Sequence, residues 1–216
     1  MSNILRALAG VIATVEHQVA SILDSGNESP GITLSGGNLI ATWTTATTTY
    51  ALIRSTTSKS AGKWYFESTD VVSASGFNAI GLANASLSMA GAVYLGQDHN
   101  GVGWQNGTGN IFSGGAPLGS CNSSNTGFVL NDVLGIAVDV SNSLLWVKDL
   151  TVGSNWNNSG AADPGTGVGG IDISSLTPVQ PLYVAVGIYA TPRSMSVNFG
   201  ASAFTGSVPS GFTKWG

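Results

Sequence analysis

Asn131–Asp149 reads NDVLGIAVDVSNSLLWVKD. In an extended chain Leu134, Ile136, Val138 and Val140 share one face, and Val133, Gly135 and Ala137 the other. Successive side chains of a strand point to opposite sides. A segment apolar on both faces therefore belongs in the middle of a layered β structure, covered above and below. Ser141–Ser143 reads as a turn, and Leu144–Lys148 returns as the second arm of a hairpin.

The same texture extends outward in both directions. Ile32–Leu34 and Asn38–Trp43 read as short strands joined across Ser35–Gly37, and Thr44–Ile53 is threonine-rich and β-favouring. Lys63–Thr69 alternates, with Trp64 and Phe66 on one face and Lys63, Tyr65 and Glu67 on the other. Phe77–Ala83, Ala92–Leu95, Gly101–Trp104, Asn110–Phe112, Leu182–Tyr189 and Ser194–Phe199 complete the expected strands. About a dozen short strands at turn spacing predict an all-β, antiparallel sandwich over residues 32–216. Thr151–Ser175 is a long glycine-rich insertion, and loops of that length are functional or disordered.

A helical period precedes the β region. Leu5, Leu8, Ile12, Val15, Val19 and Ile22 are spaced as an a/d stripe of about three heptads. The spacing predicts a helix over 1–24 that anchors or oligomerises the chain, followed by a linker over 25–31. The alternative is a helix packed on its own domain. Helices this short are weak alone, which favours a partner.

Only 8% of residues are charged, against roughly 25% in ordinary soluble domains. The surface can hydrogen-bond neutral partners but has little long-range attraction. Seven basic residues and a net charge of −4 do not supply the cationic clusters that phosphate backbones require, so nucleic acid is not an expected partner. The one cysteine, Cys121, excludes an intrachain disulfide. No apolar run reaches the ~20 residues of a membrane span, and Glu16–Gln18 interrupts the first apolar stretch without a signal-type cleavage site.

Three segments in order carry a family resemblance: Gly62–Glu67 (GKWYFE), Asp132–Asp139 with its return Leu144–Lys148, and Val197–Gly200 with Phe204 and Pro209–Phe212. Together they resemble the framework strands of SPRY-type, concanavalin-like β-sandwiches (jelly rolls). The resemblance covers residues ~62–212 and implies a binding module without catalysis. Asp163–Gly167 (DPGTG), ahead of Gly169–Gly170, is similar to phage and bacterial versions. It implies a tail, head-fibre or spike component of a phage-like virion, made in a bacterial cytoplasm.

Enzyme constellations are thin. His99 stands without a nucleophile-elbow pattern, and nothing in the sequence brings two free carboxylates together for glycoside hydrolysis. No cysteine–histidine cluster suits zinc, and Asp98-His-Asn-Gly reads as a turn. No metal or cofactor is expected.

The strongest site signal is aromatic residues among amides and carboxylates, the pairing that sugars require: a flat ring to stack on, with hydrogen-bonding neighbours. Asp98, Asn100, Trp104 and Asn106 form one group; Asn155, Trp156, Asn157, Asn158 and Asp163 form another. Trp104 reads either as core or as site, and Trp156 either as a loop pin or as site. Trp64 and Trp146 read as core.

The expected function is non-enzymatic: a virion or surface protein that binds a host receptor, a cell-surface glycan, with its helix joining a trimer or other virion proteins. The alternatives are a purely structural capsid decoration or tail connector, and a glycan-cleaving enzyme using Asp98 and Asp163.

Overall fold

The computed structural model describes residues 20–45, 49–72, 76–90, 93–121, 127–190 and 192–216. In chain order the strands are β1 (Leu23–Glu28), β2 (Ile32–Ser35), β3 (Ile40–Trp43), β4 (Tyr50–Lys59), β5 (Lys63–Val72), β6 (Ala79–Ala83), β7 (Gly101–Gln105) and β8 (Asn110–Ser113). They continue as β9 (Ala116–Ser120), β10 (Val133–Asp139), β11 (Leu144–Asp149), β12 (Ile171–Asp172), β13 (Leu182–Tyr189), β14 (Arg193–Asn198) and β15 (Thr213–Lys214). Trp156–Asn158 forms a single 3-10 turn.

Two sheets face each other. The first runs β1-β4-β13-β6-β7-β8-β9, and the second β12-β11-β10-β5-β14-β3-β2. Pairing is antiparallel except where β15 lies parallel to the start of β5, Thr213 opposite Trp64. The hairpin predicted from Asn131–Asp149 is present, with Ala137 opposite Trp146 and Asp139 opposite Leu144. β10 sits between β11 and β5, inside its sheet.

The alternation of β10 explains its double apolar face. Leu134, Ile136 and Val138 turn inward and join Phe66, Leu145, Val147, Met195 and Val197 of the same sheet. Ile53, Ile80, Val102, Trp104, Val184 and Val186 meet them from the other sheet. Each such fully buried side chain contributes about 1.5–3 kcal/mol relative to exposure. The outer face of the second sheet is covered too. Tyr65, Ala137 and Trp146 pack there beneath Trp156, Ala162, Phe204 and Phe212. Gly135 lies on this outer face, where a Cβ would come within 2.9 Å of the Tyr65 hydroxyl.

Several boundaries differ from the sequence reading. The segment expected as a linker, 25–31, is largely β1, which pairs with β4. Ile22, the last residue of the heptad stripe, is bound to β4: its N–H donates to Thr56 Oγ1 at 3.3 Å and its carbonyl accepts from Thr56 N–H at 2.8 Å. The sandwich thus begins before residue 25. The stripe residues Leu5, Leu8, Ile12, Val15 and Val19, and with them the predicted helix as far as residue 19, lie outside the described residues.

The expected strand Thr44–Ile53 is displaced toward the C-terminus, where β4 runs on through the polar Arg54–Lys59. The two that are buried, Arg54 and Ser55, are tolerated because they are paired internally, while Thr56–Lys59 reach solvent. Ser55 Oγ donates to the Thr57 carbonyl at 2.8 Å and accepts from Val184 N–H at 3.1 Å. β9, with its Pro117 and Gly119, gave no strand pattern; it is an edge strand, where proline is permitted. Val93–Leu95 is not a strand; Leu95 instead packs with Leu52, Ala83 and Ala185 on the outer side of the first sheet.

Candidate functional site

β11 is the element from which the site is built. Leu145 and Val147 point into the sandwich, whereas Trp146 is buried on the outer face. Lys148 follows Trp146 on that outer side by strand alternation. β11 has β10 on one flank but only the two-residue β12 on the other, so the backbone beyond Leu145 needs other partners.

The 151–170 loop supplies them. Asn157 Oδ1 accepts from Val147 N–H at 2.9 Å, and Asn157 Nδ2 donates to the carbonyls of Leu145 at 3.0 Å and Gly169 at 2.9 Å. Ser154 Oγ accepts from Asp149 N–H at 2.9 Å and returns a bond to the Asp149 carbonyl at 3.2 Å. Two side chains thus stand in for a missing strand. Asn157 adopts φ 46°, ψ 32°, a left-handed conformation that asparagine tolerates better than most residues. The far end of the loop is fixed by Trp146 Nε1, which donates to the Val168 carbonyl at 2.9 Å. Gly170 is required there, since a Cβ would fall 2.6 Å from the Trp146 ring.

A second segment, 199–212, crosses the same outer face. Its anchor is Glu67, buried on β5. Glu67 Oε1 accepts from the Tyr65 hydroxyl at 2.8 Å and Gly206 N–H at 2.7 Å, and Oε2 from Thr205 N–H at 2.9 Å. Phe204 packs edge-on to Tyr65, 4.9 Å between ring centroids.

Between the two segments lies a cleft of about 480 Å³. Lys148 and Leu150 of the β11 side line it, with Trp156 and Asp163 from the loop and residues 205–210 opposite. Trp156 is half-buried. Asp163 closes a turn, its Oδ1 accepting from Gly165 N–H at 2.9 Å. The cleft combines an indole, an ammonium, a carboxylate and the hydroxyls of Thr205, Ser207 and Ser210. Such a set can hold a polyhydroxylated ring by stacking and hydrogen bonding.

A smaller cavity of about 290 Å³ lies beside it and shares Gly153. Trp104, Cys121, Asp149, Asn155 and Asn158 contribute to its wall. The Cys121 thiol donates to the Val147 carbonyl at 3.0 Å, and burial pushes it up to about 12, so no thiolate nucleophile forms near neutrality. Burial, and behind it the neighbouring Asp132 carboxylate, hold Asp149 above its ordinary value. These two aspartates, 17 residues apart and unpaired in any local pattern, clamp two loops. Asp132 Oδ2 accepts from Val129 N–H at 2.7 Å, and Asp149 Oδ1 from the N–H groups of Thr151 at 2.9 Å and Val152 at 3.2 Å.

The sequence candidates fall in different places. Trp156 and Asp163 meet in the larger cleft; Asn155 and Asn158 meet at the smaller cavity. Asn157 is spent on β11. Trp104 is 1% exposed and packs edge-on to Phe128 at 5.3 Å; it is a core residue that reaches only the wall of the smaller cavity. Asn106 is buried as well, its Nδ2 donating to Asp70 Oδ2 at 3.0 Å. Asp98 and Asn100 form the expected turn, with Asn100 N–H on Asp98 Oδ1 at 2.9 Å. Lys148 and the 205–210 segment were not singled out from sequence. Lys148 could have been, because it stands two residues after Trp146 on the outward side of β11.

Among the described residues no three histidine, cysteine, aspartate or glutamate side chains gather as a metal centre. Nor is any helix among them long and apolar enough to cross a membrane.

No family model and no curated protein matches the chain. Solved structures do. The SPRY domain of human HERC1 superimposes with a TM-score of 0.59 at 12% identity, covering 84% of this chain and 99% of that one. The PSpry domain of TRIM65 gives a TM-score of 0.57 at 12% identity, covering 82% and 88%. The fold is thus a SPRY-type antiparallel β-sandwich, as the three framework segments implied.

Proposed function

We propose that this chain is a non-enzymatic binding protein of a virion or comparable surface, and that its ligand is a host glycan held in the cleft over β11. The observation that carries the reading is the half-buried Trp156 in a cleft shared with Asp163, Lys148 and three hydroxyl residues. A sugar ring needs an aromatic face with hydrogen-bonding groups around it, and the cleft has both. The low charge of the chain is consistent with a ligand recognised by contact rather than by long-range attraction. The heptad at Leu5–Ile22 supports assembly as a trimer or docking to other virion proteins, and repeated copies would offset weak affinity per site.

Glycan-array binding with wild type and Trp156→Ala tests the reading. Wild type should bind at millimolar-range affinity, with about tenfold weaker binding in the variant, the size expected for losing an aromatic stack. A wild type silent toward all sugars at those concentrations, or a variant that binds equally well, refutes it.

A purely structural role on a particle is the second reading. Val152 at 70% exposed and Val168 at 51% favour it, because protruding apolar side chains on the same loop suit contact with protein.

A further inference from the structure

Lys148 is set apart from the other basic residues of the described sandwich. Arg54 donates to the Asn84 carbonyl at 2.7 Å and to Asn27 Oδ1 at 2.6 Å. Lys63 pairs with Asp139 at 3.7 Å, and Lys214 donates to the Gly200 carbonyl at 3.4 Å. Lys59 rests 3.9 Å from the Trp64 ring centroid, and Arg193 is buried and engaged. Lys148 Nζ has neither hydrogen bond nor ion pair among the described residues; it stands 5.9 Å from the Trp156 ring, the outer limit of a cation–π contact. Asp163 lines the same cleft, yet no ion pair joins the two. The cleft therefore presents one uncommitted cation, one carboxylate and an aromatic face between the same walls.

We propose that the ligand of this cleft is an acidic sugar. Its carboxylate meets Lys148, its ring lies on Trp156, and its hydroxyls donate to Asp163. This rests on the glycan reading and narrows it. A single lysine matches a monoanionic carboxylate. A phosphate dianion would lack a second cation and would face Asp163. The chain's net charge of −4 gives an anionic ligand no general attraction, so its preference must come from this one contact.

The test compares a glucuronic-acid-terminated oligosaccharide with its glucose-terminated counterpart, on full-length wild type and on Lys148→Gln with an unchanged melting temperature. Wild type should bind the acidic sugar about fivefold more tightly, the size of a partly exposed ion pair. In Lys148→Gln the ratio of acidic-sugar to neutral-sugar affinity should fall to about one. Equal binding of both sugars by wild type overturns the inference and leaves the glycan reading standing. A preference that survives in Lys148→Gln also overturns it. Failure of wild type to bind either sugar overturns the inference, and only silence across the whole glycan array overturns the glycan reading as well.

Discussion

Replacing Asn157 with alanine removes three hydrogen bonds at one stroke: those to Val147 N–H, the Leu145 carbonyl and the Gly169 carbonyl. Each contributes about 1 kcal/mol net. Two of them serve the flank of β11, where the freed backbone groups are screened from water by the loop itself. Alanine also takes the left-handed backbone at φ 46° less readily than asparagine, a further cost of about 1 kcal/mol. The total expected is about 3–4 kcal/mol. With a urea dependence of about 2 kcal/mol per M for a chain of this size, the unfolding midpoint should fall by roughly 1.5–2 M.

Asn157→Gly relieves the backbone and should recover at most about 1 kcal/mol of that loss. The loop can also let go without the sandwich unfolding, so amide exchange of Val147 is the second readout and should accelerate markedly in Asn157→Ala. A midpoint within about 0.3 M of wild type, together with unchanged Val147 exchange, would refute the claim that this side chain replaces a strand.

Two further outcomes are expected. In Asp149→Asn the amide oxygen can still accept from Thr151 and Val152, while the buried charge beside Asp132 is gone. Because burial holds the wild-type carboxyl above its ordinary value, its protonated form favours folding below the unfolded value near 3.9, and that contribution is lost as pH rises through the folded value. Urea midpoints of both proteins from pH 3.5 to 7.5 should therefore shift in favour of the variant as pH increases; a constant or reversed difference contradicts the assignment. The oligomer is expected to depend on the heptad: light scattering should show a trimer for the full chain and a monomer for a chain starting at Ala20, which keeps β1 intact. Equal subunit numbers in both would remove the heptad as the assembly element.

The length of β4 and the existence of β9 show where sequence patterning loses its signal. Arg54 and Ser55 look like surface residues, but both are buried and paired with backbone groups far away in the chain. Their partners lie at Asn84 and Val184, so no local window could reveal them. Trp104 and Trp156 make the same point for the site. Both tryptophans stand next to amides, Gln105 and Asn106 after Trp104 and Asn155 and Asn157 on either side of Trp156. One closes the core against Phe128 while the other stands half-exposed over β11. The difference is set by which sheet face each meets, and by what covers that face.

The sequence alone determined what depends on short-range alternation: the hairpin in Asn131–Asp149, the double-sided burial of β10, the GKWYFE strand, and the antiparallel sandwich they imply. Side-chain direction in a strand has a period of two, so a dozen residues suffice to read it. Tertiary structure decided the site. The cleft exists because the loop at Trp156 is held to the β11 flank by Asn157, and because Glu67 holds Thr205 and Gly206 across the same face, 138 and 139 residues away in sequence. Contacts over that separation are fixed by the 199–212 segment folding back over the outer face of the second sheet, and they left no pattern in the linear chain.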